Sequence, residues 1–154
     1  MPMVAKEYLK KIARMESYIQ SKKERLAVLK DMSRGISSPK FDDMPRNPNK
    51  GKSRLEETII KYLDLENEIK EDEKKLEHEK LYLLEAIGRI EEPEYQTILI
   101  SRYFKHQSWD DIANSLFYTK RWLYSLHGRA LEKLDEELGK RVHSNSPEFT
   151  SVHL

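Results

Sequence analysis

The chain contains no cysteine, which excludes disulfide bonds and zinc sites built on thiolates. Only 5 glycines and 6 prolines occur among 154 residues, so most of the sequence lacks the residues that interrupt helices. The longest apolar runs, such as Tyr82-Leu83-Leu84, are too short to span a bilayer. We therefore expect a helix-rich, all-α protein in the cytoplasm, with no membrane among its partners.

Charge is abundant but unevenly distributed. Charged residues make up 36% of the chain and hydrophobic residues 38%, which is more charge than an average domain carries. The total of +1 conceals a net charge of +5 in residues 1–34, −8 in residues 55–94 and +3 in residues 95–131. A near-neutral total therefore does not argue against a nucleic-acid partner.

No constellation of side chains points to catalysis. The histidines at positions 78, 106, 127, 143 and 153 lack the paired spacing of metal ligands. No pair of carboxylates and no activated nucleophile falls on a plausible rigid pocket. We expect a protein that is not an enzyme and that uses neither cofactor nor metal.

Two heptad patterns predict two long amphipathic helices in residues 1–92. The apolar positions of the first repeat are Ala5, Ile12, Ile19 and Leu26, and those of the second are Leu55, Tyr62, Ile69, Leu76, Leu83 and Ile90. The first repeat has a second row of mostly apolar positions, three residues after the first row, and Lys22 interrupts this second row. We expect the second helix over 54–91, with Ser53 as its N-cap and Pro93 beyond its end.

The opposite charges of these two helices favour packing on each other as a long, coiled-coil-like N-terminal helical hairpin. Residues 34–53 contain three prolines and two glycines and predict an irregular connector, either a flexible linker or a functional loop. Pairing within one chain and pairing between chains both remain open. The apolar stripe of each helix is narrow, which favours a homodimer or larger assembly through the N-terminal helices. These helices are either scaffold alone or a partner-binding surface.

A second unit is predicted over residues 93–138, followed by a flexible tail over 139–154 that lacks helical periodicity. Within it, Ser108 precedes a short helix over 109–116 that buries Ile112, Ala113 and Leu116. Thr119 suits the N-cap of the next helix, whose buried stripe is Leu123, Leu126, Ala130 and Leu134. Two helices joined by a short corner in this way form a helix-turn-helix.

The outer face of the last helix carries polar, basic and aromatic groups suited to base edges and phosphates. We expect the DNA-binding residues to be Thr119, Lys120, Arg121, Trp122, Tyr124, Ser125, Gly128 and Arg129. Two of them have open alternatives. Trp122 either packs or contacts a base, and Gly128 either permits close backbone approach or is a weak point that the helix tolerates.

From Tyr95 to Leu138 the sequence resembles region 4 of bacterial sigma-70 factors. The resemblance rests on Ile98-Leu99, Arg102-Tyr103-Phe104, Ser108-Trp109-Asp110-Asp111-Ile112-Ala113 and the leucines that follow. It implies promoter recognition, contact with RNA polymerase and an Arg102–Asp111 pair. The corner residue, usually glycine in that family, is Phe117, so we expect a strained or reshaped turn.

The whole chain resembles small regulators of the RinA and ArpU type from phages of Gram-positive bacteria. This resemblance implies a transcriptional regulator in the bacterial host cell that binds double-stranded DNA. Two other functions remain open. One is a protein-binding adaptor or inhibitor of a host machine that acts through the charged hairpin. The other is a packaging protein similar to a terminase small subunit, since those also join a helix-turn-helix to helical oligomerisation segments.

Overall fold

The computed structural model describes the backbone of residues 3–37 and 48–152 and the side chains of residues 4–35 and 53–140. Within these ranges the chain forms helices and no strand, which confirms the all-α prediction. The helices are α1 (Met3–Ser37), α2 (Pro48–Gly88), α3 (Pro93–Tyr103), α4 (Trp109–Leu116) and α5 (Lys120–Val152).

The helices that flank the predicted connector are longer than the sequence suggests. α2 begins at Pro48, so Ser53 lies inside the helix and the prediction that it forms the N-cap is wrong. Proline is compatible with the first turn because the N–H groups there have no partner within the helix. Residues 34–37 belong to α1. The predicted irregular stretch 34–53 is therefore helical at both ends, and residues 38–47 lie outside the described residues.

The last helix also continues past its predicted end. α5 runs to Val152, so the expectation that residues 139–154 leave the helix is wrong over 139–152. Gly139 is the natural place for a stop, because glycine commonly ends a helix in the left-handed conformation. No glycine of the described chain has a positive φ, so Gly139 does not cap α5.

The chain divides into two compact units. One, the two-helix unit, is Ala13–Glu77 and contains parts of α1 and α2. The other, the five-helix unit, combines Met1–Ile12 with His78–Leu154. The boundary between the two units falls within α1, after Ile12, and within α2, after Glu77. The predicted division at residue 92 stays a prediction.

In the two-helix unit, α1 and α2 lie side by side around Ile19, Leu65 and Ile69. Lys22, the polar interruption of the heptad pattern, is almost buried, with 7% of its side chain exposed. Its ammonium lies 2.6 Å from Asp72 Oδ2 and 3.1 Å from Glu68 Oε1. The hydrogen bond to Asp72 raises the pKa of Lys22, partly offset by burial. The interruption is thus compensated by carboxylates of α2.

In the five-helix unit, the first turns of α1 contact both α2 and α5. Ala5 N donates to Asp135 Oδ1 at 2.9 Å, and Tyr8 Oη donates to the Glu79 carbonyl at 3.1 Å. The largest fully buried side chains of the structure all belong to this unit: Leu83, Ile87, Ile98, Leu99, Ile112, Leu123, Leu134 and Leu138. The strongest burial therefore surrounds the segment that carries the predicted site.

A cluster of five buried side chains joins α3, α4 and the first turns of α5. It consists of Ile98, Ile112, Ala113, Leu123 and Leu126. Ile112 and Ala113 of α4 and Leu123 and Leu126 of α5 are buried as the sequence predicts, whereas Leu116 is half-buried. Ala113 provides a small side chain at the contact, which allows helices to approach closely. The cluster holds the start of α5 from behind and leaves its opposite side to solvent.

Candidate nucleic-acid interface

α4 and α5 each begin with a hydroxyl side chain that caps the N-terminus of the helix. The Ser108 hydroxyl accepts a hydrogen bond from Asp111 N at 3.1 Å, and the Thr119 hydroxyl accepts one from Trp122 N at 3.1 Å. Each hydroxyl satisfies an N–H group that has no partner within its helix. The bounds of α4 agree with the predicted 109–116. Both N-caps are therefore confirmed.

The corner between α4 and α5 is built on a left-handed residue. Phe117 has φ 60° and ψ 39°, and Tyr118 N donates to the Ala113 carbonyl at 2.9 Å. This closes the C-terminus of α4 in the manner usually provided by glycine. For a residue with a Cβ the left-handed conformation costs about 1–2 kcal/mol. The phenyl ring recovers none of this through packing, since Phe117 is 94% exposed.

The eight residues predicted to bind DNA lie together on the outer side of the N-terminal half of α5 and its cap. Seven of them are exposed and one is half-buried: Thr119, Lys120, Arg121, Trp122, Tyr124, Ser125 and Arg129 are exposed, and Gly128 is half-buried. Leu123 and Leu126, between them in sequence, are buried. The surface formed by these eight residues is called the outer face below.

Gly128 opens a gap in the outer face. A Cβ built at this position meets no atom within 4 Å, and the residue does not have a positive φ. Neither packing nor backbone conformation therefore requires glycine here. The absence of a side chain at Gly128 therefore either serves the approach of a binding partner or has no role.

The aromatic groups of the outer face are held by neighbouring side chains. The Trp122 ring is 43% exposed and lies under the Arg129 guanidinium, 5.5 Å from the ring centroid. The Tyr124 ring meets the edge of Trp109 at 5.6 Å, with an interplanar angle of 85°. Both rings are therefore oriented by contacts while keeping a large exposed surface, which suits stacking or contact with a base.

An ion pair spans the corner. Lys120 Nζ lies 3.0 Å from Asp110 Oδ1, and the hydrogen bond to this carboxylate raises the pKa of Lys120. Both side chains are more than half exposed. Such a pair contributes little to stability, but it partly neutralises one of the cations of the outer face. Sequence spacing alone does not reveal it, because the two residues belong to different helices.

Behind the outer face, a half-buried aromatic cluster links α3, α4 and α5. The Tyr103 hydroxyl and His127 Nε2 are 2.8 Å apart, and the Trp109 ring lies edge-on to His127 at 4.6 Å. Burial lowers the pKa of His127 to about 4, with smaller contributions from the charges of Arg102 and Lys6. His127 is therefore neutral at pH 7 and acts as a packed, hydrogen-bonded part of the scaffold.

The ion pair that the family resemblance implies between Arg102 and Asp111 does not form. Arg102 donates to the Gln107 carbonyl at 3.0 Å, and its guanidinium lies over the Trp109 ring at 4.5 Å. No ion pair joins it to Asp111 among the described side chains. A guanidinium gains from stacking on an indole ring, and here Arg102 ties the loop between α3 and α4 to Trp109.

One further contact holds the corner. The Tyr118 hydroxyl donates to Glu94 Oε2 at 2.6 Å, which connects the corner to the first turn of α3. This hydrogen bond raises the pKa of Tyr118. The sequence does not predict this contact, because no local pattern indicates that the first turn of α3 lies beside the corner.

The described chain has no cluster of three or more histidines or carboxylates that could hold a metal ion. Among the described helices, none is long and apolar enough to cross a membrane. The surface with the most distinctive chemistry is therefore the outer face. Near the N-terminus of α5, where unpaired N–H groups favour anions, it presents the adjacent cations Lys120 and Arg121 together with hydroxyl and aromatic groups.

No protein-family model, curated protein or solved structure matches this chain.

Proposed function

We propose that this protein is a sequence-specific DNA-binding transcriptional regulator, and that the N-terminal half of α5 reads the major groove of double-stranded DNA. In this proposal α4, the corner and α5 act as a helix-turn-helix similar to region 4 of sigma factors. The supporting observation is the outer face. Its side chains project to solvent from a helix whose opposite side is fixed by Leu123 and Leu126.

Some groups of the outer face are suited to phosphate contacts, which provide affinity, and others to base contacts, which provide sequence specificity. Lys120 and Arg121 are exposed beside the N-terminus of α5, where charge and helix dipole both attract phosphate. Arg121 also has the geometry for guanine, and Thr119 and Ser125 have hydroxyls for phosphates or base edges. A contact with RNA polymerase is the second part of the proposal, carried by the family resemblance.

The experiment begins with selection of bound duplexes from a random pool, with and without RNA polymerase. The selected duplex is then titrated with the wild type and with Lys120→Ala/Arg121→Ala. We expect this variant to bind about 10–100 times more weakly, since a base-reading arginine and a phosphate contact are both lost. Failure of the wild type to enrich any sequence would refute the proposal.

A matched control removes the same charge from the same helix. Lys133 and Lys140 lie on α5 beyond the outer face, where they form ion pairs with Glu92 and Glu137, and both lysine side chains are exposed, at 46% and 71%. Lys133→Ala/Lys140→Ala also lowers the net charge by two. We expect it to retain most of the affinity, because its charges lie away from the reading surface.

For the N-terminal helices we propose an antiparallel hairpin that pairs with a second copy of the chain. The two-helix unit leaves several large apolar side chains exposed, namely Tyr18, Val28, Met32, Ile59, Ile60 and Leu63. Sedimentation equilibrium tests this. A dimer supports the proposal, a monomer refutes it, and a ring-sized oligomer favours a terminase-like packaging protein.

The same exposed apolar residues also favour the second candidate function, a protein-binding adaptor or inhibitor. A pull-down from host lysate distinguishes it from DNA binding. A partner that survives nuclease treatment and requires the two-helix unit, while the chain enriches no duplex, would favour the adaptor.

A further inference from the structure

Phe117 combines two unfavourable features that nothing inside the described chain explains. Its backbone is left-handed, a conformation in which a glycine would be unstrained, and its side chain is 94% exposed. A residue held in a sparsely populated conformation points to a function that requires that side chain. The feature to explain is therefore the phenyl ring itself.

Phe117 lies at the corner that leads into the outer face. It is the C-cap of α4, two residues before the Thr119 cap and three before Lys120, where α5 begins. A polyanion drawn to this helix N-terminus arrives next to the ring. In the major groove, the apolar group that a base edge offers is the C5-methyl of thymine.

We propose that Phe117 contacts the C5-methyl group of a thymine at the edge of the DNA site read by α5, and so contributes sequence preference. The inference rests on the proposed DNA-binding function and extends it to one residue and one base. A single ring suffices for such a contact. A stable protein interface instead requires about 800 Å² from each partner, which one ring at a corner does not provide.

The test replaces the ring and the methyl group separately and together. Each thymine of the selected duplex is changed in turn to deoxyuridine, which lacks only the methyl. At one position we expect this to weaken wild-type binding about fourfold, the effect of one methyl group leaving an apolar contact. Phe117→Ala should lose affinity on the thymine duplex and be insensitive to deoxyuridine at that same position.

Tyr124→Ala provides the matched control, since Tyr124 is also an exposed aromatic residue of this region, at 49% exposure. We expect it to keep the wild-type sensitivity to deoxyuridine at the Phe117 position. Circular dichroism checks that both variants fold, and Phe117→Ala removes a ring that packs on almost nothing.

Three results of the duplex titrations overturn the inference but not the proposed function. They are an unchanged affinity of Phe117→Ala, the absence of any position at which deoxyuridine weakens the wild type, and a persistent effect of deoxyuridine in Phe117→Ala. Each is compatible with the proposed function if Lys120→Ala/Arg121→Ala still loses affinity. A wild type that binds no duplex overturns both. Loss of RNA polymerase capture by Phe117→Ala, with duplex affinity intact, would assign the ring to a protein contact and also overturn the inference.

Discussion

Asp110 and Lys120 form a 3.0 Å ion pair that joins the first turn of α4 to the first turn of α5. The carboxylate therefore lies where a phosphate would approach Lys120. If α5 binds DNA, Asp110→Asn frees the ammonium and removes a repelling charge. We expect an increase in affinity of about threefold at low salt that shrinks as salt is added. A fluorescence-anisotropy titration measures it.

Asp111→Asn is the control for this variant. Asp111 is exposed in the same first turn of α4 and carries the same charge, but no ion pair joins it to Lys120. It should raise affinity less than Asp110→Asn. Equal effects of the two substitutions would mean that general charge, rather than the release of Lys120, controls binding.

Phe117→Gly should stabilise the fold. Glycine adopts φ 60° without the strain that a Cβ brings, and the ring that is lost is almost wholly exposed. We expect the free energy of unfolding to rise by about 1 kcal/mol in urea denaturation. Phe117→Ala keeps the strain and should leave stability nearly unchanged. A destabilised Phe117→Gly would show that the ring packs in solution.

Stability should fall in acid because of His127. Its folded-state pKa of about 4 lies below the usual 6.5, so the unfolded chain takes up a proton first as the pH drops. The contribution of neutral, half-buried His127 to the free energy of unfolding is complete above pH 6.5 and is lost as the pH falls from 6.5 to 4. Because part of the ring is exposed, we expect a loss of about 2 kcal/mol rather than the full value that the pKa difference implies.

Urea denaturation at pH 7.5 and pH 4.5 measures this loss. His127→Gln cannot take up the proton and should show a smaller decrease between the two pH values than the wild type. Equal decreases would mean that other groups are responsible for the acid sensitivity.

Gly128 and Gly139 form a matched pair on α5. Both are helical positions around which an added Cβ meets nothing within 4 Å. Alanine at either should raise the free energy of unfolding by about 0.5–1 kcal/mol through helix propensity. Only Gly128→Ala should also weaken binding of the selected duplex, because Gly128 alone lies on the outer face. Unchanged binding would make Gly128 a weak point that the helix tolerates.

Features encoded by neighbouring residues were predictable from the sequence. The bounds of α4, the caps at Ser108 and Thr119 and the buried stripe of α5 all follow from patterns a few residues long. Features that depend on helix crossing were not. The Asp110–Lys120 pair and the stacking of Arg102 on Trp109 join residues whose proximity is created by the packing of α3, α4 and α5.

Helix ends near prolines and glycines were the least predictable part of the fold. The density of prolines predicts a break at Pro48, yet this residue starts α2, because proline is unfavourable inside a helix but not in its first turn. Gly139 lies within α5 without the left-handed conformation of a cap. The heptad pattern predicts that Lys22 interrupts the packing of α1, whereas Asp72 and Glu68 make it a buried ionic contact.

The salt dependence of duplex binding tests the central claim most directly. The logarithm of the binding constant of the wild type is plotted against the logarithm of salt concentration and compared with that of Lys120→Ala/Arg121→Ala. The loss of the Lys120 phosphate contact should make the slope shallower by about 1, and by about 2 if Arg121 also contacts a phosphate, while Lys133→Ala/Lys140→Ala keeps the wild-type slope. Equal slopes for the wild type and Lys120→Ala/Arg121→Ala would contradict the assignment of α5 as the DNA-reading helix.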